Sequence, residues 1–188
     1  FNHQVSHQSN SWEQHCLNVC KNLNIELMIH RSRAELTRGG GPENALRVAR
    51  YDWFRLIMNR GDILATAHQM DDQMETILFR LFRGGGIRGL SGIPGCRQFG
   101  VGELHRPLLG VSRYDIVSAA KYFRLRWIED ESNFDDSFDR NFIRKEIVPV
   151  VHSRWPAAAE TIGRTARQLN GAERLLGEFA ERDFSDIH

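Results

Sequence analysis

AHQMDDQMETILFRLFRGGGIRGLSG, residues Ala67 to Gly92, joins a histidine, two adjacent carboxylates, an amphipathic segment and a glycine loop. Met74, Ile77, Leu78 and Leu81 recur at the i, i+3, i+4, i+7 spacing of a helix that buries one face. The helix is expected from Asp71 to Arg83. Acids at a helix start complement its unpaired N–H groups, so Asp71 and Asp72 have a structural reading as cap and first turn, although capping needs only one of them. Asp72 and Glu75 lie three residues apart and share a face. Two anions so placed suit a cation, and the spacing fits a paired-carboxylate clamp on an ammonium group. The alternative is two exposed helix acids, with Glu75 paired to a nearby arginine.

Working outward, apolar and polar residues alternate in a βα rhythm. Strands are expected ending near Val5, at Ile25–His30, Ile63–Ala67, Leu104–Pro107 and Leu125–Ile128. Helices are expected at Ser11–Leu23, Pro42–Asn59, after Ser112 with Asp115 as a capping-box variant, at Asp139–His152 and at Pro156–Phe184. Such alternation argues for an α/β fold with a parallel sheet covered on both faces. Ligands in such sheets bind beyond the carboxyl ends of the strands, where His3 and His68 are expected to fall. The last helix places Ile162, Ala166, Leu169, Leu176 and Phe179 near one stripe. Trp155-Pro156 is a natural boundary, so residues 1–154 are expected to form one domain and 155–188 the start of a helical second domain.

Composition narrows the class. A hydrophobic fraction of 41% supports a real core, and a net charge of +1 excludes a generic polycation. No apolar run reaches the roughly 18–20 residues of a membrane span. Cys16, Cys20 and Cys96 contain no CxxC pair, which argues for a reduced, cytoplasmic protein and against a zinc or iron–sulfur site. Charge is segregated: Glu129, Asp130, Glu131, Asp135, Asp136 and Asp139 precede Arg140, Arg144 and Lys145. Taken alone, that run reads as a solvated acidic loop before a helix.

The quoted stretch resembles the HxxDDQxET and RGxGxxGL signatures of the tRNA(Ile)-lysidine synthetases, a branch of the PP-loop ATP pyrophosphatases. RVARYDWF (Arg47 to Phe54), RPLL (Arg106 to Leu109) and WIEDESNFDDSFDRNFIR (Trp127 to Arg144) resemble further blocks of that family, in family order. The family's S-G-G-x-D-S phosphate loop occurs nowhere in these 188 residues, and FNHQVSHQSNSW at the start resembles the end of the family's second strand. A sequence lacking its first strand and phosphate loop is therefore expected. The missing strand would leave an open sheet edge inviting a second copy, a homodimer. Met74, Gly85 and Phe138 depart from the residues usual in the family, without loss of charge.

The resemblance implies an enzyme that adenylates C2 of the wobble cytidine of a tRNA(Ile) with a CAU anticodon. Free L-lysine then displaces AMP. It implies ATP and Mg²⁺, with Asp72 and Glu75 binding lysine, and His68, Asp71 and Arg140 in catalysis. It places His3, Arg83, Gly84 and Gly86 at ATP, Arg140, Asn141 and Arg144 at tRNA, and Asp71 near the metal. Each has a plainer reading: His68 as a packed histidine, Gly84 as a helix C-cap, Arg140 neutralised by Asp136 or Asp139. Competing functions are another PP-loop tRNA enzyme such as a cytidine thiolase, which uses cysteines, and a non-enzymatic RNA-binding module.

Overall fold

The computed structural model describes residues 1–32, 42–130 and 139–185. Glu131, Asp135, Asp136, Asn133 and Phe138 of the acidic block lie outside the described residues. Two compact units are present, Phe1–Asp62 with Phe99–Gly102, and Ile63–Gln98 with Glu103–His188.

In the first unit, α1 (Ser9–Asn22) and α2 (Pro42–Ile57) match the helical periodicity of the sequence. The two expected strands reduce to one parallel bridge between Asn2 and Arg31, fastened by Asn2 N–H to the His30 carbonyl at 2.8 Å and Ser32 N–H to the Asn2 carbonyl at 3.0 Å. Glu13 of α1 secures that bridge. Its carboxylate accepts from the Asn2 amide at 3.0 Å and from Arg31 Nε at 3.0 Å. Tyr51 and Phe99 are buried edge to face, their ring centroids 5.6 Å apart, a geometry that suits the aromatic quadrupoles.

The second unit holds, apart from Phe99 and Gly102, a three-stranded sheet in the order β1 (Ile63–Ala65), β3 (Gly102–His105), β2 (Cys96–Phe99). β1 and β3 run parallel, with Leu64 opposite Leu104. β2 was not foreseen, and only Gly100 and Val101 separate it from β3. A connection that short can only reverse the chain, so this pair is antiparallel and the α/β sheet is mixed rather than all-parallel. Leu125–Ile128, expected as a strand, pairs with no strand among the described residues, and Leu125, Trp127 and Ile128 are exposed.

Helices complete this unit: α3 (Met70–Phe82), α4 (Ile87–Leu90), α5 (Arg113–Tyr122), α6 (Asp139–Phe142), α7 (Val148–Arg154) and α8 (Ala158–Ser185). Ser112 caps α5 as its sequence indicates, accepting the Asp115 N–H at 3.1 Å. A π-helical turn, Ile143–Ile147, joins α6 to α7, with the Val148 N–H bonded to the Ile143 carbonyl five residues back. Pro149 accounts for the widened turn, since it has no N–H to give and its ring would strike the carbonyl four residues earlier. Met74 of α3 sits at the centre of the core, fully buried against Ile143, Val148, Ala158 and Ala159. The predicted stripe of α8 is used over its first half, where Ala166 is 1% exposed, whereas Leu176 and Phe179 lie open. No helix among the described residues is long and apolar enough to cross a membrane.

Candidate functional site

The start of α3 is built by its own acids, each with a different task. Asp72 turns back to accept the Gln69 N–H at 2.9 Å, the carboxylate half of a capping box. Asp71 instead caps a neighbour. Its Oδ2 accepts the Arg113 N–H at 2.8 Å, at the first residue of α5, where unpaired N–H groups favour an anion. The Met70 N–H donates to the Val111 carbonyl at 2.9 Å, so α3 and α5 begin at a common joint.

One turn along α3, Glu75 is 3% exposed and follows buried Gln73 and Met74. A bare carboxylate there would be costly, and its partners come from α6 and the π-helical turn that follows it. Arg144 grips it with both arms of the fork, Nε on Oε1 at 2.7 Å and Nη2 on Oε2 at 2.8 Å. Arg140 reaches the same carboxylate through Nε at 3.2 Å and Asp72 through Nη2 at 3.4 Å. Arg144 also lies 3.7 Å from Asp72. Two acids and two guanidiniums thus form a neutral quartet, with Asp72 and the arginines still partly open to solvent. The structure therefore brings Asp72, Glu75, Arg140 and Arg144 together, across more than sixty residues of chain. Asn141 lies beside them in sequence, on α6.

The glycine loop has a different construction from a phosphate cradle. Gly84 has φ of +73°, its N–H donates to the Leu81 carbonyl at 3.0 Å, and the Gly85 N–H donates to the Arg80 carbonyl at 2.8 Å. These two bonds are the Schellman end of α3, the C-cap alternative stated above. Gly86 then opens α4. Two helix residues unmarked by the sequence reading hold the loop: Arg80 Nη1 donates to the carbonyls of Gly89 and Gly92 at 2.8 and 2.9 Å, and the Gln73 amide bonds both the N–H and the carbonyl of Ile93. Their seven-residue spacing on α3 was the available signal. Arg83 lies over the Phe79 ring, 5.0 Å from its centroid.

His68 Nδ1 lies 3.0 Å from the Thr66 hydroxyl, just after β1. His3 belongs to the first unit, with its ring beside Phe1 at 4.6 Å. Burial, followed by the Arg50 charge and the chain's amino group, lowers its pKa from 6.5 to about 4. No set of three or more histidine, cysteine and acidic ligands among the described residues includes Asp71. A cleft of 780 Å³ lies in the second unit between Met70 and Gln73 of α3, segment 91–95 and α8. Its lining includes none of the quartet.

The PP-loop domain family matches residues 1–151 of this chain. The chain is 45% identical over 181 residues to the tRNA(Ile)-lysidine synthase of Pseudomonas aeruginosa, covering 96% of this chain and 40% of that protein. It is 40% identical over 187 residues to the tRNA(Ile)-lysidine synthase of Coxiella burnetii, covering 100% of this chain and 42% of that one. The chain thus spans about two fifths of the length of these relatives. Among solved structures, the U34-tRNA thiolase NcsA from Methanococcus maripaludis with its [4Fe-4S] cluster shares the fold. The TM-score is 0.73 at 15% identity, over 89% of this chain and 59% of that one.

Proposed function

Because the chain belongs to the PP-loop family, we propose that the protein containing it makes lysidine, joining free L-lysine to C2 of the wobble cytidine of a tRNA(Ile) with a CAU anticodon at the expense of ATP. The base is first adenylated on its C2 oxygen. A lysine amine then attacks C2, the new C–N bond forms, the C2–O bond breaks, and AMP leaves with that electron pair while the amine gives up a proton. Residues 1–154 supply the synthetase domain, and 155–188 open a helical one.

What supports the reading most directly is the quartet around Glu75. Arg144, held by two short bonds, is the structural partner of the buried carboxylate. Arg140, on longer bonds and partly open to solvent, is the exchangeable one. When a lysine ammonium approaches Asp72 and Glu75, it takes over the charge balance that Arg140 supplied. Arg140, with Asn141 beside it, is then available to tRNA phosphate or to the developing charge on the adenylated base. His68 is assigned to orienting the phosphates or the activated base. Within the second unit ATP is expected near Arg83, Gly84 and Gly86, although the N–H of Gly84 is spent on the helix end, which leaves side chains and later backbone as donors. Mg²⁺ would have to be held largely by phosphate oxygens, as it commonly is, and no step here is assigned to it.

The test is incorporation of labelled lysine into tRNA(Ile) transcript by the purified protein with ATP, beside a parallel assay with a sulfur donor. Lysine transfer and AMP release in equal amounts are expected. Thiolation without lysine transfer would replace this reading with the cytidine thiolase.

A further inference from the structure

Glu103 and His105 are two residues apart on β3, so the strand pleat sets both side chains on one face, opposite the fully buried Leu104. Cys96 begins the adjoining β2. Its Sγ lies 3.6 Å from Glu103 Oε2, and His105 Nε2 lies 2.6 Å from that same oxygen. All three ligand atoms fall within 4.8 Å of one another. The face is open to solvent. Glu103 and His105 side chains are 52% and 37% exposed, and Ile63 and Ala65, their register partners on β1, are exposed as well.

We infer that Cys96, Glu103 and His105 form a surface site for Zn²⁺ or a chemically similar divalent ion, with its fourth position left to water. The donor set is one thiolate, one carboxylate and one imidazole, each a zinc ligand, and three protein ligands plus water complete a tetrahedron. The charges balance, since a thiolate and a carboxylate neutralise the dication while the imidazole stays neutral. The distances are close to those required. Zinc bond lengths put a coordinated sulfur and oxygen about 3.6 Å apart, and a nitrogen and oxygen about 3.3 Å apart. The Cys96–Glu103 separation already matches, and the His105–Glu103 separation must widen by about 0.7 Å, within reach of exposed side-chain rotamers.

Without metal the trio is a weak arrangement, a solvent-exposed His–Glu pair and a poor thiol donor. Burial, followed by Glu103, holds the Cys96 thiol above its ordinary pKa, opposed by the charge of Arg106. Binding would release that proton to solvent, so occupancy rises with pH. The ion would clip β2 to β3 across the two-residue turn. Spacing rules based on close cysteine pairs miss such a site because its ligands are of three kinds and come together only through the hairpin.

The experiment is titration of the chain with Co²⁺, read by its sulfur-to-cobalt charge-transfer band, followed by displacement with Zn²⁺. One equivalent is expected to produce the band. Cys96→Ser should abolish it, and His105→Ala and Glu103→Gln should each weaken binding by about tenfold or more. The double variant Cys16→Ser/Cys20→Ser should retain it, and circular dichroism should confirm that every variant is folded. A wild-type chain without the band, or a band that survives Cys96→Ser, overturns the site.

Discussion

At Glu75 one carboxylate takes N–H bonds from Arg144 Nε, Arg144 Nη2 and Arg140 Nε, and the two arginines are not equivalent. Arg144→Met should remove the bidentate partner of a nearly fully buried charge and lower stability by about 2–4 kcal/mol, read from a denaturant midpoint. Arg140→Ala should cost less than about 1 kcal/mol, because Glu75 keeps its fork, yet depress tRNA modification strongly. Equal losses of stability would remove the distinction between structural and exchangeable partner. Asp72→Asn is the cleaner probe of lysine binding, since Asp72 is less buried than Glu75. Its lysine KM should rise roughly tenfold to a hundredfold, a loss of ~1.5–3 kcal/mol, while the KM for ATP stays put. An unchanged lysine KM would remove Asp72 from the clamp. His3 offers a pH test. Its pKa is lowered from 6.5 to about 4 in the fold, so the unfolded chain binds this proton more readily. The stability it contributes is complete above pH 6.5 and is lost as the pH falls toward 4. Glu13, lowered from 4.5 to about 2 by its bonds to Arg31 and Asn2, loses its share only below 4.5. A decline between pH 6.5 and 4.5 that flattens in His3→Gln is therefore expected, and an identical slope in the variant would count against it.

Among the elements, α3 is the one whose two ends were most fully written in the sequence. Asp71 and Asp72 announced its start, and Gly84 offered the left-handed residue that its end requires. The segment after it was harder to read, because its shape depends on Gln73 and Arg80 reaching over from the helix. Gly92 shows how tight that contact is. It has φ of +72°, and a Cβ there would sit 2.6 Å from Gln73 Oε1. Gly92→Ala should combine left-handed strain with loss of the Gln73–Ile93 pair, costing ~2 kcal/mol or more in thermal unfolding. A neutral Gly92→Ala would mean that the loop is not fastened through Gln73. The hairpin of β2 and β3 escaped notice because Cys96–Phe99 carries little hydrophobic alternation, with only Phe99 buried. Leu125–Ile128 had the composition of a strand, but composition does not supply the partner that a strand needs.

For the molecule as a whole, the nucleotide site is the part that residues 1–188 do not spell out. They contain no S-G-G-x-D-S, and the glycine loop spends its first N–H groups on capping α3. A polypeptide of these residues alone should give no heat of binding with Mg-ATP at micromolar concentrations, because its sequence lacks the S-G-G-x-D-S loop whose N–H groups would be aimed at a triphosphate. Micromolar binding by calorimetry would relocate the nucleotide to one of the sites described above. The sequence by itself determined the α/β class, the placing of most helices, the cap of α5 at Ser112 and the family motifs, since periodicity and capping act within a few residues of chain. Only the tertiary structure decided that Glu75 answers to Arg140 and Arg144, that Asp71 caps α5, and that Cys96 meets Glu103 and His105. The physical reason is that an ion pair, a borrowed cap or a ligand set is fixed by which surfaces the core brings together, and residues distant along the chain leave no local pattern of that meeting.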